Sequence, residues 1–591
     1  MFTTRPEIAG TFGVVASTHW IASQVGMAVL ERGGNAFDAA VAAGFTLHLA
    51  EPHLNGPGGD APILIHDAKT RRQHVICGQG TAPAAASLEK FSELGLDLIP
   101  ATGLLPAVVP GAFDAWCLML RDWGTWEFAD VLAFAIGYAR NGIHIVPRVS
   151  ATIASVQPLF ESEWKTSAAV FLPGGKVPEP GSLFARPALA ATYERLCREA
   201  MGSTREARIE AVRDAWYRGF VAEEIDQFCR SADVLDVSGR HHRGLLTGDD
   251  MAGWSASVEA PLGYEYHGHT VLKCGPWSQG PAMLQQLALL RGFDLGAMNP
   301  LGAEFVHTVV ESAKLAFADR EAFYGDPDYV AVPMDVLLSD GYNEQRRKLI
   351  GERASMELRP GTVAGFEAVV DQDAAARAKL APGAGAGEPT VARMGVIGAD
   401  TCHIDVIDRF GNMASATPSG GWLQSSPVIP GLGFCLGTRG QMFWLRPGLP
   451  NSLTPKKRPR TTLSPSLVLR GGKPWLAFGT PGGEQQDQWQ PVMLLRMLHH
   501  GLNIQQSIDA PNFHTEHWPS SFWPRAARPG KVVIEGRYSD AVLHELLTRG
   551  HLAEKGDDWS EGRLSGARIE PDGQVFAGAN PRGMQGYAVG R

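Results

Sequence analysis

The run Gly398-Ala-Asp400-Thr401-Cys402-His403 puts a threonine where a stretch rich in Ala, Gly and Pro gives way to an alternating pattern, Cys402-His-Ile-Asp-Val406. A hydroxyl at such a join can attack the carbonyl that precedes it. An N-to-O acyl shift and hydrolysis of the resulting ester would break the chain between Asp400 and Thr401 and leave Thr401 with a free α-amine. That amine has an ordinary pKa of about 7.7–8.0, close to working pH, so one residue would carry both nucleophile and base. A threonine opening a strand is also what β-propensity alone produces. The reading therefore depends on the elements and residues around it.

Residues 17–49 carry a helix pattern (Ile21, Val25, Ala28, Val29), a stop at Gly33-Gly34, and Asn35 to Asp38 capping a second apolar helix that ends before Pro52, which predicts a helical hairpin. The glycine-rich turn of residues 51–60 feeds a strand over residues 61–66. Residues 130–345 read as mostly helical, with residues 305–323 the clearest amphipathic case. Residues 371–400 hold few bulky side chains and are expected to be mobile. Beyond them come a turn at Arg409-Phe-Gly-Asn412, a hairpin of Ser466 to Arg470 with Trp475 to Phe478, and a β-rich final third. Helices flanking strands at both ends favour an α+β fold with a layered αββα plan.

Several further motifs occur in order: Gly33-Gly-Asn-Ala-Phe-Asp-Ala-Ala-Val41, Glu51-Pro52 with Gly58-Gly59, Ala318-Asp-Arg320 with Gly325-Asp-Pro327, Thr401-Cys-His403 with Gly411-Asn412, Lys457-Arg-Pro459, Leu463-Ser-Pro465, Gly479-Thr-Pro-Gly-Gly483 and Asn580-Pro-Arg582. With these the sequence resembles, over nearly its whole length, the γ-glutamyltransferase family of N-terminal-nucleophile hydrolases. The resemblance implies an αββα sandwich built jointly by a large chain, residues 1–400, and a small catalytic chain, residues 401–591, which stay together as a heterodimer, with a dimer of heterodimers as a further expectation. It makes Thr401 the nucleophile, freed by cleavage after Asp400. Gly482 and Gly483 match the family's paired glycines, whose N–H groups form the oxyanion hole, although a hairpin turn would use the same residues. Ser419 stands where the family has a threonine that bonds the nucleophile. Thr461 and Thr462 replace a serine pair that contacts the substrate carboxylate, and they fit equally as β-branched strand residues. His403 is expected to make a structural hydrogen bond.

The pattern departs from the transferases at the substrate. Their arginine that clamps the donor carboxylate is Gln79 here, which loses a charge-assisted bond of about 1.5–3 kcal/mol. Their asparagine after the Thr/Ser pair is Gly421, and the acidic segment that holds the donor amine reads Gly437-Thr-Arg-Gly-Gln-Met442. This texture looks like the branch that includes oxamate amidohydrolases and cephalosporin or glutaryl acylases. Arg439 is a candidate replacement clamp, with pairing to a surface acid as the alternative. The expected activity is hydrolysis of a small carboxylate-bearing amide, oxamate-like or an acyl amide, through an acyl-Thr401 ester, with acyl transfer as a side activity. Glutathione or γ-glutamyl hydrolysis is the first alternative, and an unprocessed binding protein of the same fold is the second.

Composition narrows the rest. With 53 Lys+Arg against 62 Asp+Glu and no basic stripe, nucleic acid is an unsuitable partner. Arg5 and Glu7 interrupt the N-terminal segment, no apolar run reaches about 18 residues, and seven scattered cysteines lack CxxC spacing, which points to an untargeted cytoplasmic protein with no membrane span and no zinc site. His499, His500, His514 and His517 lack metal-ligand spacing, so no metal is expected, and the glycine clusters do not have the form that binds a dinucleotide, so no cofactor is expected. Asp60 is placed either to reach the pocket or to cap its turn. Trp277 to Gln279 and Trp518 to Trp523 are expected in the core or at a lid.

Overall fold

Alternation along the strands sorts their side chains into separate layers. In Gly13–Ser17, Val15 points one way and Val14 and Ala16 the other; in Lys473–Gly479, Leu476 and Phe478 oppose Ala477. The computed structural model describes residues 2–380 and 401–591. Two seven-stranded antiparallel sheets dominate it. From edge to edge the first runs Tyr587–Gly590, Gly13–Ser17, Ile404–Asp408, Met413–Ala416, Ala61–Asp67, Arg72–Gly78, Ser257–Glu259. The second runs Ile8–Gly10, Val575–Ala579, Ser565–Ile569, Lys473–Gly479, Ser466–Arg470, His269–Lys273, Leu262–Tyr266. Each sheet contains strands from both sides of residue 401.

Val14, Leu64, Val75, Ile407, Ala477, Ala567 and Trp277 fill the space between the sheets. Val15, Ile63, Ile404 and Val406 face the other way, onto the helices Trp20–Glu31, Ala36–Ala50 and Ala112–Trp123. Val468, Leu476 and Phe478 face Pro281–Leu290, Ala303–Phe323 and Gln486–His500. The result is the αββα sandwich. Six more helices between Phe128 and Ser231 extend the first helical layer. Among the described residues no helix is long and apolar enough to cross a membrane.

The helix Ala36–Ala50 is buried on every side, which explains its run of small residues: a Cβ on Gly44 would lie 2.7 Å from the Trp116 ring. Its start is a capping box in which the Asn35 side chain accepts from the N–H groups of Phe37 and Asp38 while Asp38 accepts from Asn35 N–H. Asn35 Nδ2 also donates to Trp123 O at 2.7 Å, tying two helices.

Of the segment expected to be mobile, residues 381–400 lie outside the described residues; Ala374–Leu380 is a helix, and Asp371 pairs with Arg377 and Arg446. One expectation needs adjusting. The strand expected to open on Thr401 starts at Ile404, because Thr401 to His403 are held by separate contacts before the regular ladder begins. Removing the cap tests the helical layer: Asn35→Ala should cost about 1–2 kcal/mol, read as a lower midpoint in urea.

Candidate active site

Thr401 is 3% exposed, and its Oγ1 donates to Ser419 Oγ at 3.2 Å. The backbone behind this contact is fixed from several sides. Cys402 N–H donates to Pro418 O at 3.1 Å, and Thr18 N–H donates to His403 O at 3.1 Å. Ser419 exchanges two backbone bonds with Asp60, each 2.9 Å. Gly420 and Gly421 then turn away at φ of 78° and 65°. The approach is close enough to require glycine opposite: a Cβ on Gly59 would fall 2.0 Å from Ser419 O. Asp400 lies outside the described residues.

Asp60 and Arg439 are both buried and form a bidentate ion pair, Nε to Oδ2 and Nη2 to Oδ1 at 2.7 Å each. Burial raises the Asp60 pKa, and the Arg439 charge opposes that rise. The carboxylate that Arg439 clamps in this structure therefore belongs to the protein. Asp60 does more than cap its turn, since it supports Ser419 by backbone and Arg439 by side chain.

A second buried carboxylate stands behind Thr401. Glu51 accepts from Thr18 Oγ1 at 2.5 Å, from Cys402 Sγ at 3.1 Å and from Gln585 Nε2. Burial raises its pKa, and these donors and the charge of Arg148 offset the rise. His403 has no place in this group: Nδ1 meets Thr417 Oγ1 and Nε2 meets Asp405 Oδ1, each at 2.9 Å, with Ser415 and Ser565 donating to the same carboxylate. It is an intersheet structural residue.

Gly482 and Gly483 connect a strand to a helix rather than closing a hairpin. They follow Lys473–Gly479 at φ of 111° and 27° and lead through the turn Gly483–Gln485 into Gln486–His500. Gln279 links this loop to the threonine pair, its N–H donating to Thr461 O at 2.9 Å and its Nε2 to Gly483 O at 3.0 Å. Arg320 Nη1 holds Gln279 Oε1 at 3.0 Å, and the buried acids Glu321 and Glu484 hold Arg320. Trp277 is core, donating its indole N–H to Glu259. Around Trp518 to Trp523, Trp518 stacks on Phe317 and Ser521 N–H binds Glu484 Oε1, so that segment seals the same charge network.

The structure brings Thr401 and Ser419 into direct contact and joins Arg439 to them through Asp60. It joins Gly483 to Thr461 through Gln279. Gln79 and Thr462 are buried but make no hydrogen bond to any of these; Gln79 Oε1 and Thr462 Oγ1 have no partner among the described residues, while Gln79 Nε2 reaches only Gly80 O. The cavity beside Thr401 and Pro481 adds Arg148 and Arg563, which the sequence reading did not single out and which stand in none of its motifs. Glu51 and Asn580, also on that wall, were legible only as motif residues.

A possible ligand set does exist, formed by His307, Glu311 and His551. Its members are already engaged: His307 Nδ1 and His551 Nε2 share a 2.8 Å hydrogen bond, and Glu311 is paired with Lys314 and Arg359, while His551 Nδ1 has no partner among the described residues. His514 is paired with Glu516 and Glu561.

The Gamma-glutamyltranspeptidase family model matches residues 22–590. This chain belongs to that family. It is 31% identical to a glutathione hydrolase-like YwrD proenzyme of Bacillus subtilis over 99% of both chains. The solved structure of LmbA2991HD superposes with a TM-score of 0.93 at 54% identity, each chain fully covered. That of the cephalosporin acylase from Bacillus halodurans gives 0.82 at 27% identity, over 100% of this chain and 97% of that one. The family assignment accounts for the sandwich and places the protein among hydrolases and acylases.

The ion pair that supports Ser419 can be tested alone. Asp60→Ala leaves the Arg439 charge buried without its partner and should cost about 3–5 kcal/mol, whereas Asp60→Leu combined with Arg439→Met should recover most of it. Denaturant unfolding of the three proteins reads the difference.

Proposed function

We propose that the protein is a proenzyme that cuts itself between Asp400 and Thr401 and then hydrolyses a small carboxylate-bearing amide, oxamate-like or an acyl amide. The 3.2 Å contact between Thr401 Oγ1 and Ser419 Oγ carries the reading. In the precursor the Thr401 hydroxyl attacks the Asp400 carbonyl, with Ser419 orienting the oxygen. Cleavage gives a large chain, residues 1–400, and a small chain, residues 401–591, which remain together because each sheet interleaves strands of both. The relatives' designation as proenzymes supports this sequence of events.

In turnover the α-amine of Thr401 takes the hydroxyl proton as Oγ1 attacks the amide carbonyl. The N–H groups of Gly482 and Gly483 receive the developing oxyanion, a contribution of about 3–4 kcal/mol for each donor. The bare backbone and the following helix N-terminus suit that role. The amine leaves with the proton, and water attacks the acyl-Thr401 ester. The cephalosporin acylase neighbour supports amide chemistry of this kind. The glutathione hydrolase-like relative supports the alternative, γ-glutamyl hydrolysis. Gln79 and Gly421 weigh against it, because neither restores the charge or the amide that the transferases use. Thr461 and Thr462 remain candidate substrate contacts, and Arg439 a candidate clamp whose charge is matched by Asp60. A cytoplasmic setting is part of the same proposal.

Thr401→Ala should stay a single 63.5 kDa band on a denaturing gel and show no turnover, while Ser419→Ala should slow the appearance of two bands tenfold or more. A panel of oxamate, glutathione, a γ-glutamyl anilide and a glutaryl amide separates the substrates. Higher kcat/KM for oxamate or the glutaryl amide fits the proposal, and a preference for the γ-glutamyl compounds favours the alternative.

A further inference from the structure

Gly482 and Gly483 stand at φ of 111° and 27°, backbone that a side chain would strain, and two glycines in a row give a loop more rotational freedom than any other pair of residues. Two N–H groups aimed at one oxygen need the opposite, because they act only if their directions are set before the charge develops. The loop therefore has to be held. From within the small chain, Gln486 N–H is shared between Gly482 O and Gly483 O and closes the turn on its helix side. From the large chain comes Gln279, whose Nε2 donates to Gly483 O at 3.0 Å.

The Gln279 amide has one orientation. Arg320 carries donors only, so the 3.0 Å contact with its Nη1 is to the amide oxygen, which leaves the NH2 group facing Gly483 O. Arg320 is itself fixed by Glu321 at 2.6 Å and by Glu484, the residue after Gly483, at 3.6 Å. The Gln279 backbone is bound as well: its N–H donates to Thr461 O at 2.9 Å, and Thr461 N–H donates to Trp277 O at 2.9 Å. Gln279, Arg320, Thr461 and Glu484 are all buried. Planar peptide units transmit the constraint. With the carbonyls of Gly482 and Gly483 both held, the peptide planes on either side of the Gly483 Cα are fixed, and so is the direction of its N–H.

We propose that Gln279 is a positioning residue for the reaction: locked by Arg320, it holds Gly483 so that the N–H groups of Gly482 and Gly483 are aimed before an amide arrives. The proposal rests on Thr401 being the nucleophile and on these glycines receiving the oxyanion. It makes the large chain, residues 1–400, a working part of the site, since the small chain has no Gln279 to hold Gly483 O.

The test compares matured wild-type protein with Gln279→Glu, which keeps an oxygen for Arg320 but loses the donor to Gly483, and with Gln279→Met, which loses both. On the amide that wild type turns over fastest, each variant should lose at least tenfold in kcat with KM within threefold. The boronate 4-boronobutanoic acid reads the loop without turnover: Thr401 Oγ1 adds to boron, its proton passes to the α-amine, and the tetrahedral anion sets a boron-bound oxygen against the two N–H groups. Its inhibition constant should weaken at least tenfold in both variants. A lower unfolding midpoint with kcat and boronate affinity within twofold of wild type shows a merely structural role and overturns the proposal. Where the variants do not mature, a crystal structure of the wild-type boronate adduct decides: the Gln279–Gly483 bond intact with both N–H groups on the boron-bound oxygen supports it, and a Gly483 carbonyl turned away from Gln279 overturns it. Wild-type protein that neither turns over an amide nor takes up the boronate fails the Thr401 reading and this proposal with it, whereas equal boronate affinity in wild type and variants removes the Gln279 role alone.

Discussion

The Asp60–Arg439 ion pair is the constraint from which the site hangs. Two opposite charges are buried together, and their mutual geometry leaves little freedom to the backbone that carries them. Asp60 fixes Ser419 by two main-chain bonds, and Ser419 holds the hydroxyl of Thr401. A charge pair of this kind adds little net stability, because desolvation offsets most of the attraction. Its consequence here is positional. The requirement for glycine at position 59, where a side chain would strike Ser419 O, comes from the same close approach.

A second set of buried charges does comparable work on the other side. Arg320, Glu321, Glu484 and Arg460 form a network that spans the large and small parts of the chain, with Arg460 Nη2 on Glu321 at 2.5 Å and Arg320 on Gln279. Gln279 passes that rigidity to Gly483 and Thr461. Burial lowers the Arg460 pKa to about 10 against the pull of Glu321, with the nearby Arg320 charge adding to the lowering, so the shift is chiefly the cost of desolvating the guanidinium. Thr401, Ser419 and the Gly482–Gly483 loop are thus suspended between two desolvated ionic clusters, each joining segments far apart in sequence.

Much of the frame was legible because its signals are local. Asn35 with Asp38 announces the helix Ala36–Ala50, alternation announces Ala61–Asp67, and glycines mark the turn between Ser466–Arg470 and Lys473–Gly479. Of the segment 371–400 that was expected to be mobile, residues 381–400 lie outside the described residues, and the alanines at its start, which have the highest helix propensity, form Ala374–Leu380. What sequence could not supply was partnership across distance. Nothing near Arg439 reveals that its carboxylate is Asp60, and nothing near Arg148 or Arg563 reveals that they meet at one cavity. The order of motifs carried the family, whereas the charges that tune the site emerge only from the packing of the two sheets and their helices.

The account turns on a new chain terminus at one residue. N-terminal sequencing of the smaller fragment from freshly purified, active protein measures it most directly. The account predicts a readout beginning Thr-Cys-His, the residues from Thr401 to His403. Active protein whose fragments all begin elsewhere, or which remains a single chain, would contradict it.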